Sequence, residues 1–163
     1  MIKRYSSKQF EEIFSDQNRF NNYLLIEEAV IEAYFKLGLI PEEDYQNIVK
    51  KAHVDLKSIE ELEAITKHDV IAFTRSISLQ LGEEKKWFHY SLTSTDVVDS
   101  AQSLTLKTAN DQILDDLNAL MMVTKAKAEQ YKDQPVMGRT HGMHAEITSF
   151  GLKWALWYDE LAR

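Results

Sequence analysis

Cysteine is absent from this 163-residue sequence. Disulfides, thiolate metal sites and cysteine nucleophiles are therefore excluded, and a reducing cytoplasm is the expected location. Proline and glycine are scarce, with two and five residues, so little interrupts regular structure and long helices are expected. No apolar run approaches the ~20 residues that a membrane span requires. The charged and polar opening, Met1 to Phe10, has no apolar core of a signal peptide, and no membrane partner is expected. Positive charge is also short: 19 Lys and Arg stand against 26 Asp and Glu, a net charge of −7. That balance argues against nucleic acid, whose phosphates require clustered cations, yet leaves room for a local positive pocket for a small anion.

What is present fits a globular, helical chain. Hydrophobic residues make up 44% and charged residues 28%, and the length suffices for one ordinary domain or two small ones. Asn18 to Leu37 carries Phe20, Leu24, Ala29 or Val30, Ala33 and Leu37 at helical spacing, with Gly38 as a C-terminal stop. Pro41 opens a second helix with Glu42, Glu43 and Asp44 at the positive end of its dipole. Ser58-Ile59-Glu60-Glu61 reads as a capping box for a third. Asp69 to Leu81 forms another, with Val70, Phe73, Ile77 and Leu81 on one face and Gly82 beyond it. From Ser94-Thr95-Asp96 a helix is expected to run to about Tyr131, striped by Val97, Ala101, Leu104, Ile113, Leu117, Leu120 and Met121. Nearly forty residues at ~1.5 Å each span about 55 Å, a length that suggests a bundle or an oligomer. Gln134-Pro135 ends it, and a non-helical passage, Val136 to His144, follows. A last helix is expected from about Ile147, carrying Phe150, Trp154, Trp157 and Leu161. Its pattern is still running at Arg163, and its tryptophans lack a partner surface in the sequence, so the chain is read as part of a longer protein. The expected fold class is all-α, with an N-terminal helical domain over 1–93 and the start of a long-helix bundle over 94–163.

Chemistry gathers in the breaks between helices, where four of the five histidines fall; His53 has no suggestive company. Lys67-His68-Asp69 is either a surface helix junction or a site for an anion helped by the following dipole. Ser91-Leu92-Thr93-Ser94-Thr95-Asp96 holds more hydroxyls than one helix cap needs, and it suits a carboxylate or phosphate as well as a cap. Met137-Gly138-Arg139-Thr140-His141-Gly142-Met143-His144-Ala145-Glu146 is either a polar loop or a segment whose glycines admit a ligand to the backbone. A zinc pair at His141 and His144 lacks further ligands and has Arg139 beside it, so no metal is expected.

These three segments, in this order and together with Ile2-Lys3-Arg4-Tyr5, resemble the adenylosuccinate lyases of the fumarase and aspartase superfamily. The resemblance spans nearly the whole chain. It implies elimination of fumarate from adenylosuccinate to give AMP, and from the succinylated imidazole-carboxamide ribotide, without metal or organic cofactor. It implies His141 as the acid that protonates the departing nitrogen. A serine on a mobile loop, beyond residue 163 in the family, would remove the carbon-bound proton. Arg4, Tyr5, Lys67, His68 and Asp69 match the substrate-contacting residues, and Thr93 and Ser94 the pair that holds a succinyl carboxylate. The resemblance also points to His89 near that site, and Thr140 is a further candidate there. The partners implied are a small nucleotide substrate and three further copies of the chain in a homotetramer. Two positions depart from the family pattern: Ser91 replaces a common glycine and Ile147 a common proline. Argininosuccinate lyase, a carboxymuconate cycloisomerase and a non-catalytic helical interaction module are the competing readings; Arg4-Tyr5 and Lys67-His68-Asp69 favour the nucleotide.

Overall fold

The computed structural model describes residues 2–163; Met1, where the charged opening begins, lies outside the described residues. A 3₁₀ turn (Lys3–Tyr5) precedes five helices: α1 (Lys8–Ile13), α2 (Asp16–Lys36), α3 (Glu42–Lys51), α4 (Leu56–Thr66) and α5 (Asp69–Ser78). A second 3₁₀ turn (Glu83–Trp87) leads to α6 (Ser94–Gln130), a hairpin of β1 (Pro135–Thr140) and β2 (Met143–Ser149), and α7 (Phe150–Ala162). The chain is thus helical, as its composition demands, with one hairpin. No helix among the described residues is long and apolar enough to cross a membrane.

Two compact units divide between Ala109 and Asn110, inside α6. The domain boundary expected at 93/94 coincides instead with the start of that helix. The first turns of α6 belong to the first unit because Val97 and Ala101 are buried in its core.

That core is built around Phe73. Its ring stacks on Phe20 at 5.9 Å, meets Tyr23 edge-on at 5.6 Å and tilts against Phe88 at 5.9 Å. Ile31, Ile48, Ile59, Val70 and Ile77 complete it. The face expected on α5 is the buried one at Val70, Phe73 and Ile77. On α2 the buried stripe is Phe20, Tyr23, Glu27 and Ile31, so a carboxylate stands in the core where the spacing of Leu24 and Ala33 pointed elsewhere. The capping box at Ser58 is also displaced. Asp55 caps α4 by accepting from the Ser58 amide, and the Ser58 hydroxyl instead accepts from Ser76.

In the second unit the passage after Pro135 is an antiparallel hairpin, and Ile147 lies in β2 opposite Met137. The last helix therefore starts three residues later than Ile147, capped by Ser149, whose Oγ accepts from the Gly151 amide. Beta-branched Val136, Ile147 and Thr148 favour the extended backbone there. Gly151 is required by close approach: a Cβ on it would lie 2.5 Å from the Ala128 carbonyl. Tyr131, Phe150, Trp154 and Trp157 form a chain of ring contacts at 5.2, 6.0 and 5.2 Å. Much of the apolar surface of α6 and α7 remains exposed, at Leu114, Leu120, Val123, Leu152 and Leu156 among others.

Candidate active site

The Lys67-His68-Asp69 segment is a tight joint between two helices. Lys67, at φ 55°, ends α4 in the left-handed conformation, and His68 caps α5. The His68 Nδ1 lies 3.5 Å from the Ile71 amide and 3.5 Å from Asp69 Oδ1. The neutral ring can accept from the first, and the protonated ring can pair with the second. Asp69 itself faces the body of the unit: one oxygen accepts from the Val70 amide at 2.8 Å, and the other lies 3.8 Å from Arg19. Burial, then the Asp69 charge, pushes the Tyr23 phenol above its ordinary value. Arg19, Tyr23, Asp69, Gln102 and Thr105 line a cavity of about 370 Å³. His68 and Lys67 are exposed, so this joint presents cation and imidazole outward while Asp69 is tied to Arg19.

His89 occupies the next break. Phe88, only 7% exposed, pins the chain to the core, and His89 follows at φ 62°. Ser91, where the resembled family commonly has glycine, is also left-handed, at φ 61°. Such a conformation costs a non-glycine residue about 1–2 kcal/mol, so the surroundings must hold it. At His89 the holder is Glu27, whose Oε2 accepts the His89 backbone N–H at 3.0 Å while Oε1 lies 2.5 Å from Nδ1. Burial pushes the Glu27 carboxyl up, against the opposing pull of the histidine. Glu27 was not foreseen from the sequence. Its signal is a charged residue four places from Tyr23 and four from Ile31 on a buried stripe.

Thr93 and Ser94 stand at the mouth of α6. The Thr93 amide and hydroxyl both donate to Asp96 Oδ2, at 2.8 and 2.9 Å. These two bonds, helped by the charge of His89, hold the Asp96 carboxyl below its ordinary value. The Thr93 hydroxyl is therefore engaged in capping, and Ser94 is the first residue of a helix whose amides face outward at the positive dipole end. Arg4 and Tyr5 lie in the first 3₁₀ turn, the guanidinium over the phenol ring at 4.7 Å. Tyr5 is 74% exposed.

Thr140 and His141 belong to the second unit. His141 and Gly142 are the two residues of the turn between β1 and β2, at φ 52° and 74°, the double positive φ of a type I′ hairpin. Gly142 meets this at no steric cost; His141 does not, and it stands exposed at the tip. Gly138 sits beside a register shift between Met137 and Arg139, where a Cβ would lie 2.7 Å from the Glu146 carbonyl. Among the described residues four non-glycine residues have positive φ, Lys67, His89, Ser91 and His141, and all four lie in segments that stand out in the sequence.

The chain is similar to known proteins. A family model described as lyase matches residues 3–163. Adenylosuccinate lyase of Bacillus subtilis strain 168 is 51% identical over 163 residues, all of this chain and 38% of that protein. Adenylosuccinate lyase of Staphylococcus saprophyticus is 52% identical over the same extent, again 38% of its length. A fumarate lyase from Mesorhizobium sp. BNC1 superposes with a TM-score of 0.91 at 25% identity, over 98% of this chain and 38% of that one. The chain thus spans little more than a third of the length of the relatives it matches, and it belongs to the lyase family.

Proposed function

We propose that these residues form part of an adenylosuccinate lyase, which eliminates fumarate from adenylosuccinate to leave AMP and from the succinylated imidazole-carboxamide ribotide. The observation that carries this reading is the 51% identity with an adenylosuccinate lyase along the whole of this chain, candidate segments included.

The chemistry of the segments suits that reaction. The substrate carries a phosphate and two carboxylates, and the breaks between helices offer exposed Lys67, His68 and Arg4 and the mouth of α6. Removing the proton beside a succinyl carboxylate builds negative charge on that carboxylate. A fixed donor at Ser94, on a helix mouth that Thr93 closes through Asp96, would stabilise it more in the transition state than in the ground state. The amine leaves far more easily as a neutral group than as an anion, so an imidazole at the hairpin tip, His141, is the acid. Lys67, His68, Arg4 and Tyr5 hold the nucleotide, His89 and Thr140 assist, and Asp69 fixes the joint that carries His68. The base resides outside these 163 residues, so the chain alone is inactive. The exposed apolar faces of α6 and α7 are the surfaces on which four copies assemble in the cytoplasm around a helical bundle, of which 94–163 is the beginning.

The test is a substrate comparison with the full-length protein, followed by fumarate release, or by lactone formation for carboxymuconate. Turnover of adenylosuccinate and the ribotide, with none of argininosuccinate or carboxymuconate, is the expected result. Preference for either of the latter would reassign the substrate, and no elimination at all would favour an interaction module.

A further inference from the structure

His89 is bound twice by one side chain. Its backbone N–H and its ring Nδ1 are both directed at the carboxylate of Glu27, one to each oxygen. The two residues are 62 positions apart in sequence, and Glu27 is fully buried while the His89 side chain is 24% exposed. A carboxylate is an expensive group to place in a core. A turn that only needed fastening could be held by a neutral amide or a backbone carbonyl. The Lys51–Glu84 pair shows the structural alternative, a buried carboxylate bonded to a flexible lysine that lies outside every candidate segment.

What the carboxylate adds is control of the ring. An acceptor fixed at Nδ1 keeps the proton on that nitrogen and sets the ring plane, so the remaining nitrogen, Nε2, has a defined position and state. The left-handed φ of His89 turns its backbone toward the same carboxylate, so one residue sets both backbone and ring. We propose that Glu27 is the positioning residue of His89, holding Nδ1–H inward so that Nε2 faces the anionic substrate, to which it donates a hydrogen bond when the ring is protonated. The proposal rests on the reading of His89 as a member of the substrate site.

The experiment uses the full-length protein and the variants Glu27→Gln, His89→Ala and the double variant, with adenylosuccinate kinetics and ¹⁵N NMR of the histidine rings. In the unmodified protein at neutral pH the His89 ring should carry its proton on Nδ1. Glu27→Gln should lower kcat/KM about tenfold, the order typical of an orienting partner. In the His89→Ala background the same change should cost less than about twofold, because a residue acting through His89 has nothing left to act on. A ring protonated on Nε2 but not on Nδ1 in the unmodified protein would overturn the proposal, and so would equal losses from Glu27→Gln with and without His89. If His89→Ala leaves kcat/KM unchanged, the placement of His89 in the site fails, and the proposal with it. Should Glu27→Gln not fold, the ring spectrum of the unmodified protein and the partial rescue expected in Glu27→Asp decide the matter.

Discussion

Thr93 gives both its backbone N–H and its hydroxyl to one oxygen of Asp96, at 2.8 and 2.9 Å. The start of α6 is thereby closed on itself, and the neighbouring Ser94 becomes the hydroxyl best placed to serve a ligand. In the full-length protein, Ser94→Ala should lower kcat/KM roughly tenfold or more, about 1.4 kcal/mol of transition-state stabilisation. An unchanged kcat/KM would return these hydroxyls to capping alone. Asp96→Ala should lower both melting temperature and kcat/KM, since it frees the mouth of the helix. Loss of stability without loss of activity would separate the cap from the site.

The acid limb of stability should belong in part to Glu84. It is 5% exposed, and its Oε1 accepts from Lys51 at 2.7 Å. Lys51 first, then the backbone amides of Glu84 and Gly82, push its carboxyl down to about 2 from an ordinary 4.5. A folded value below the unfolded one stabilises fully above the unfolded value and is lost as pH falls from 4.5 toward 2. Urea midpoints measured near pH 6 and near pH 3 should therefore fall further in the unmodified protein than in Glu84→Gln. Equal falls would remove Glu84 from the acid transition.

Phe73 touches Phe20, Tyr23 and Phe88 and is fully buried. Phe73→Ala should destabilise by about 3–5 kcal/mol in chemical denaturation. Because Phe88 anchors the chain beside His89, the surviving folded fraction should also have a raised KM. A cost near zero would mean that the core closes elsewhere.

How much of this was legible beforehand depends on whether a signal was local. The face of α5 follows from the spacing of Val70, Phe73 and Ile77, and the extent of α6 from the absence of proline and glycine between Ser94 and Tyr131. The hairpin was not legible. Its strands are exposed on nearly every residue, so they lack the apolar alternation that betrays a half-buried strand, and His141-Gly142 reads equally as a loop. The cap at Asp55 and the Ser58–Ser76 bond were missed because Ser58-Glu61 satisfies the local capping pattern while a tertiary partner claims its hydroxyl. The segments proposed for the site stand out by their residue types, but Glu27 does not, since its partner is distant in sequence.

Ser91 offers a test of backbone strain. At φ 61° it pays for a conformation that glycine adopts freely, and the resembled family commonly has glycine there. Ser91→Gly should raise stability by about 1 kcal/mol with activity retained. Lower stability would show that the serine side chain contributes more than the strain removes.

The most direct test concerns His141, at the exposed tip of the hairpin. Full-length His141→Gln is compared with the unmodified full-length protein for adenylosuccinate cleavage, with folding and substrate affinity checked in parallel. With His141 as the acid, kcat falls by at least ~10²-fold while fold and binding persist. An unchanged kcat in a folded His141→Gln protein would contradict this assignment.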